Sequence, residues 1–258
     1  EMTSSLVGSE MCIRDRFKSP AVALQQAKNA VVKMSRRAAR NVNLSTPLLL
    51  KMDEDVVSAI DVRENLIDRM EVEISNYLIK LADQELGDAE SHEVTELLNF
   101  VTECERIGDY AVNIKEKAQE LADKEVTFSE MAQQELKLLD KALEKILTLT
   151  ADAFEADDGR MASQVEPLEQ VIDDLKEQLR TRHILRMQQG QCSIEAGFVW
   201  SDLLTDLERT SDHCSNIAGC VIDAAHHDLN MHATLDAARR RDPDFREQYQ
   251  RCAAKYQV

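Results

Sequence analysis

The chain has 258 residues, and 31 Lys and Arg set against 48 Asp and Glu give it a formal charge of −17. With only 7 Gly and 4 Pro it has too few turn-formers for an all-β chain, or for a doubly wound α/β fold that needs a loop every dozen or so residues. The acidic balance argues against nucleic acid as a partner, and no run of ~18 apolar residues is present to span a membrane. Apolar residues make up 43%, enough for a sizeable core, so the expected class is all-α.

Residues 1–16, EMTSSLVGSEMCIRDR, lack the apolar centre and cleavage site of a signal peptide. They read as a non-native, adapter-like leader, so the natural protein is expected to extend further upstream. Residues 17–52 carry seven basic side chains (Lys18, Lys28, Lys33, Arg36, Arg37, Arg40 and Lys51) and no acid, which leaves −23 on the body that follows. A basic leading helix on an acidic body is expected to face a different neighbour from the rest.

That helix should begin near Pro20, a favoured first-turn residue, and break or kink at Ser45-Thr46-Pro47. A second helix is expected over about 55–86, stopped by Gly87, and a third over about 91–122. Thr127 and Glu130 have the spacing of a capping box for a helix running to about Glu155. Asp157-Asp158-Gly159 reads as a turn. A helix over about 161–189 should stop at Gly190, and Ser193 should start another that continues to about 230. The last residues, 242–256, read as one more short helix.

The pattern is duplicated. Glu105-Arg106-Ile107-Gly108-Asp109-Tyr110-Ala111-Val112-Asn113-Ile114 matches Glu208-Arg209-Thr210-Ser211-Asp212-His213-Cys214-Ser215-Asn216-Ile217 at an offset of 103. Glu64-Asn65-Leu66-Ile67-Asp68 matches Glu169-Gln170-Val171-Ile172-Asp173 at an offset of 105. Two nearly equal offsets mark an internal repeat. The expected organisation is two tandem, up-down three-helix bundles, 17–123 and 124–232, with a tail helix in 233–258.

Four Glu-x-x-x-Asp pairs occur in the chain, and all four fall at equivalent places in the two copies. A spacing of four puts both acids on one helix face. Short loops make the second and third helices of each copy antiparallel neighbours, and the distances of the pairs from those loops differ by only roughly 3–8 Å in helix rise. Four carboxylates should therefore meet at one height in each copy. Glu105, Asp109 and Asn113 form one stripe, and Glu208, Asp212 and Asn216 another. Buried without compensation, such an arrangement costs several kcal/mol. The compensation could be hard metal ions on oxygen ligands (iron, manganese, magnesium or zinc), or arginine in an ion-pair lattice. Pro167, two residues before Glu169, is expected to distort the second site.

His213 adjoins Asp212 and is either a flanking metal-site residue or a plain interface histidine. His183 reads as structural, His226-His227 as a dipole cap near a helix end, and Trp200 and Phe198 as core or as the face of a homodimer. The six cysteines form no CxxC pair and read as reduced thiols. No Glu is followed by His at the third position, so the ligand motif of ferritin-like di-iron enzymes is absent. No nucleophile–base pair or phosphate-binding Gly loop suggests an enzyme of another kind.

At these residues the chain resembles the PhoU family. The run His183-Ile184-Leu185-Arg186-Met187, Gly190-Gln191-Cys192 and Leu203-Leu204-Thr205-Asp206-Leu207-Glu208-Arg209 resembles more closely the C-terminal PhoU-like domain of bacterial sodium/phosphate cotransporters. The resemblance covers about residues 19–258. It implies a regulatory, non-enzymatic role in phosphate transport, with divalent or trivalent metal ions at Glu64, Asp68, Glu105 and Asp109 and at Glu169, Asp173, Glu208 and Asp212. It implies an upstream transmembrane transport domain as partner, residues 17–52 against the inner face of the bacterial membrane, and a cytoplasmic location. A free-standing PhoU-type regulator is the alternative.

Overall fold

The computed structural model describes residues 19–226 and 243–257. The leader, Phe17, Lys18, His227 and the expected helix end near 230 lie outside the described residues, as does the side chain of His226.

Seven helices carry the fold among the described residues. Helix α1 spans Pro20–Ser45 and runs into a 3-10 turn, Thr46–Leu49, at Pro47. Helix α2 spans Glu54–Ala82 and α3 Asp88–Asp123. Helix α4 spans Glu130–Ala156 and is followed by a single helical turn, Gly159–Ala162. Helix α5 spans Val165–Gln188, α6 Ile194–His226 and α7 Pro243–Lys255. No strand occurs among the described residues.

Local chemistry moves several ends from their sequence-based positions. Gly87 does not stop α2. It is extended (φ −73°, ψ 166°) and starts α3, with its N–H donating to Glu90 Oε2 at 2.9 Å. The start of α4 is capped by Ser129, whose Oγ accepts from the Ala132 N–H at 3.3 Å, and not by Thr127. Asp157 ends α4 in the left-handed region at φ 55°. Asp158 then caps the short turn, and α5 begins only at Val165. Pro167 therefore stands in the first turn of α5, where a backbone N–H has no intrahelical acceptor to lose. The distortion expected from it does not occur. Gly190, at φ +67°, and Ser193, whose Oγ accepts from Ala196 N–H at 3.1 Å, bound the α5–α6 loop as expected.

Helices α1, α2 and α3 form one bundle, and α4, α5 and α6 a second. The two are joined where α3 packs on α6 and α1 on α4, and α7 lies on α5. One face of α1 buries Ala23, Ala27, Ala30, Val31, Met34, Ala38 and Val42. Its small residues admit α3 closely. Cys104 and Cys214 are fully buried free thiols, and burial pushes both up to about 12. That matches small core residues and not nucleophiles.

The seam between α3 and α6 has a legible register. Lys117 pairs with Asp206 at 2.6 Å, the Tyr110 and His213 rings stack with centroids 5.6 Å apart, and Glu103 Oε2 meets Asn216 Nδ2 at 3.0 Å. As one number falls the other rises, so the helices are antiparallel. Tyr110 and His213 are repeat equivalents, 103 apart, and face each other. The pseudo-two-fold axis relating the bundles therefore passes between them.

Two cations of the basic leading helix meet the end of α4. Arg36 bonds Asp152 at 2.8 Å and also pairs with Glu155, and Lys28 lies 3.0 Å from Asp157. Acids at a helix C-terminus oppose its dipole, and the α1 cations offset them. Trp200 is core, whereas Phe198 is 71% exposed.

Inside the second bundle, Arg186 forms a two-pronged pair with Glu135, at 2.8 and 2.7 Å, with each side chain 4% exposed. Arg186 also lies over the Trp200 ring, 5.8 Å from its centroid. Arg182 also lies 3.5 Å from Glu135, so it is removal of Glu135 that strands the Arg186 charge, at a cost of about 3–5 kcal/mol. Glu135→Ala is expected to lower unfolding free energy by that amount in urea titrations, and Glu135→Leu with Arg186→Met by much less.

Candidate functional site

The α2–α3 hairpin brings Glu64 and Asp68 to one wall and Glu105 and Asp109 to the facing one. The approach is close at Gly108, where a Cβ would stand 3.1 Å from Glu64 Oε2 and 3.4 Å from Glu64 Oε1. A side chain at 108 would push the carboxylate away, so this glycine, which neither stops a helix nor makes a loop, is explained by close approach. Asn41 reaches in from α1. Its Nδ2 lies 3.4 Å from Glu64 Oε2 and 3.3 Å from the Ile60 carbonyl.

The electrostatics are those of crowded like charge. Glu64 is pushed up to about 7, first by burial and then by Asp68 and Asp109, with the Asn41 hydrogen bond working the other way. Glu105 is raised by burial and by the neighbouring Asp109, and further by Glu71 and Asp68. Burial is also the main cause of the rise at Asp109. Among the described residues no Lys or Arg lies within ion-pair distance of these four acids; the nearby Lys115 is held by Asp61 at 2.5 Å. Glu64 Oε1 and Asn41 Oδ1 are buried without a hydrogen-bond partner. An all-oxygen, uncompensated donor set with an orphaned carboxylate oxygen suits a hard cation in type. Among the described residues, no three His, Cys, Asp or Glu side chains converge closely enough to hold a metal ion as they stand.

The second hairpin, α5–α6, brings the equivalent acids together in different surroundings. Glu169 is buried, and Asp173, Glu208 and Asp212 are half-buried. Lys176 Nζ lies 2.9 Å from Glu208 Oε1 and 4.0 Å from Asp173 Oδ1. Arg209 approaches Asp212 at 3.9 Å, whereas its counterpart Arg106 turns away to Glu103 at 3.5 Å. Asp173 and Asp212 are still raised, chiefly by burial, with Lys176 opposing the rise at Asp173 and Arg209 opposing it at Asp212. This donor set already contains a cation, the Lys176 ammonium.

The flanking residues divide. His213 does not turn to its neighbour Asp212. Its Nδ1 lies 2.7 Å from Glu103 Oε2 across the seam, and Asn216 donates to the same oxygen. Their hydrogen bonds hold the Glu103 carboxyl below its ordinary range against the opposing effect of burial. The stripe expected through Glu208, Asp212 and Asn216 fails because each step of four residues drifts about 40°, leaving Asn216 about 80° from Glu208. Asn113, half-buried one turn beyond Asp109, has no contact tying it to the first cluster among the described residues.

The comparisons with known proteins agree with this duplicated bundle. The family model for the PhoU domain matches residues 31–118 and 130–221, one match in each bundle. The chain belongs to the PhoU family. It is 27% identical over 197 residues to a phosphate-specific transport system accessory protein PhoU homolog of Thermotoga maritima, covering 76% of this chain and 84% of that protein. It is 23% identical to a PhoU homolog of Deinococcus radiodurans, covering 76% of this chain and 91% of the relative. The crystal structure of PhoU from Pseudomonas aeruginosa superposes with a TM-score of 0.76 at 21% identity, over 81% of this chain and all (100%) of that one. That of the regulatory PhoU from Streptococcus pneumoniae gives 0.73 at 18%, over 82% and 99%. No helix among the described residues is long and apolar enough to cross a membrane.

A carboxyl raised in the folded state, as Glu64 is, binds its proton more tightly folded than unfolded. Its contribution is full below the unfolded value near 4.5 and is lost as pH rises through about 7. In chelator, the metal-free PhoU chain should lose stability over that window, by about 1–2 kcal/mol after allowance for solvent on the open side. Glu64→Gln should flatten the loss, as read from urea midpoints at acidic and alkaline pH.

Proposed function

We infer that this chain is a non-enzymatic, PhoU-type regulator of phosphate transport that acts as a free-standing accessory protein on the cytoplasmic side of the membrane. The observation that carries this is the PhoU domain match in both bundles, together with relatives that are named accessory proteins of phosphate-specific transport systems and are covered over 84% and 91% of their length. The first carboxylate cluster is read as a cation site for iron, zinc, manganese or magnesium. Glu64, Asp68, Glu105 and Asp109 would hold the ion, with Asn41 orienting Glu64. A bound cation would cancel the repulsion between the walls and tie α2 to α3. Closing on it requires the side chains of Asp68 and Asp109, both exposed, to change rotamer.

Expression of the chain in a bacterium lacking its own PhoU protein should restore phosphate-dependent control of radiolabelled phosphate uptake. Uptake that stays unregulated, with the chain expressed and folded, would overturn the reading.

A second reading places the same fold as the regulatory domain of a sodium-dependent phosphate transporter, beside the membrane. It is favoured by the cotransporter-like run at 183–209 and by Lys33, Arg40 and Lys51, which are exposed and have no ion-pair partner among the described residues. Exposed, unpaired cations suit an anionic lipid surface. The chain should then co-float with vesicles rich in anionic lipid, and changing these three residues to Gln should abolish co-flotation. Flotation that is equally absent from both proteins would remove the membrane-facing role.

A further inference from the structure

The two carboxylate clusters descend from one repeat but are neutralised differently, and one position accounts for it. The segment Glu64-Asn65-Leu66-Ile67-Asp68-Arg69-Met70-Glu71 aligns without a gap on Glu169-Gln170-Val171-Ile172-Asp173-Asp174-Leu175-Lys176. The offset of 105 that relates the paired acids also carries Glu71 onto Lys176. In the first copy this position adds a fifth acid, whose charge acts on Glu105. In the second it supplies an ammonium 2.9 Å from Glu208, the counterpart of Glu105, with both side chains largely buried, at 18% and 14% exposure.

Two further differences point the same way. Arg209 leans onto Asp212, while Arg106 leaves Asp109 for Glu103. Ser211 is fully buried where the first copy has Gly108, and its hydroxyl donates to the Glu208 carbonyl at 2.7 Å. The gap that lets Glu64 approach α3 is therefore absent from the second hairpin.

We propose that Lys176 is the resident cation of the second cluster, standing where a metal ion would otherwise bind, so that the protein's metal capacity lies at the first cluster alone. An ammonium at this distance neutralises Glu208 and excludes a divalent ion by charge and by volume. The part that assigns metal to the first cluster rests on the proposed function. The part that concerns Lys176 does not.

The test uses Mn²⁺ alone as probe, titrated into the full chain, with the free ion followed by electron paramagnetic resonance. Comparing wild type with Glu105→Gln/Asp109→Asn reads the first cluster, and equal retention by the two would sink that assignment only. On the Glu105→Gln/Asp109→Asn background only the second cluster is left. This background is expected to retain no Mn²⁺ at concentrations that load the wild type, and adding Lys176→Glu should create retention there, lost again with Glu208→Gln. Circular dichroism melting confirms folding; if Lys176→Glu does not fold, Lys176→Gln is read in its place and should show a smaller gain. Retention by the background while Lys176 is intact would overturn the proposal. So would a folded Lys176 variant that gains none.

Discussion

Like charges brought onto facing helices have to be answered, and the rest of this fold is arranged around that requirement. Each helix hairpin carries four carboxylates at one height, in surroundings dry enough to raise several of them. A bundle of this size has no spare stability with which to leave such repulsion standing. The second hairpin meets it with Lys176 and Arg209. The first has no such cation among the described residues, and there burial and neighbouring acids raise Glu64 to about 7 and raise Glu105 as well.

A similar requirement explains where two of the basic residues of α1 go. A helix with cations and no acids looks, in isolation, like a surface for something external. Here Lys28 and Arg36 are taken up by Asp157, Asp152 and Glu155 at the end of α4, where the acids oppose their own helix dipole. The two bundles are thus joined twice by charge, at α1–α4 and along α3–α6. The buried Glu135–Arg186 pair does the same between α4 and α5 inside the second bundle.

Much of this was legible in the sequence because it rests on periodicity. The repeat offsets, the three-helix hairpin order and the pairing of acids at one height follow from spacing alone. What spacing did not reveal depends on where helices begin and how far they drift. Pro167 looked disruptive only because α5 was expected to start four residues early. Asn216 looked like a cluster residue because a step of four was read as a straight stripe, whereas the accumulated rotation carries it round to the seam, and His213, raised only as the neighbour of Asp212, lies at the seam as an interface histidine would. Lys176 was missed for a different reason. The alignment that matched Glu64 to Glu169 would have exposed it, had it been continued three residues past Asp173. Gly108 required coordinates, since close approach leaves no mark in a single sequence.

Helix α3 serves two boundaries at once. Glu103 points into the seam, where it holds His213 and Asn216, and Glu105, two residues on, points into the first cluster. Two residues are about 200° of rotation, so the two acids lie on opposite sides of a rod whose backbone hydrogen bonds keep them in fixed phase. A rotation of α3 about its own axis would therefore move both acids at once, so the first cluster and the seam share one helical phase.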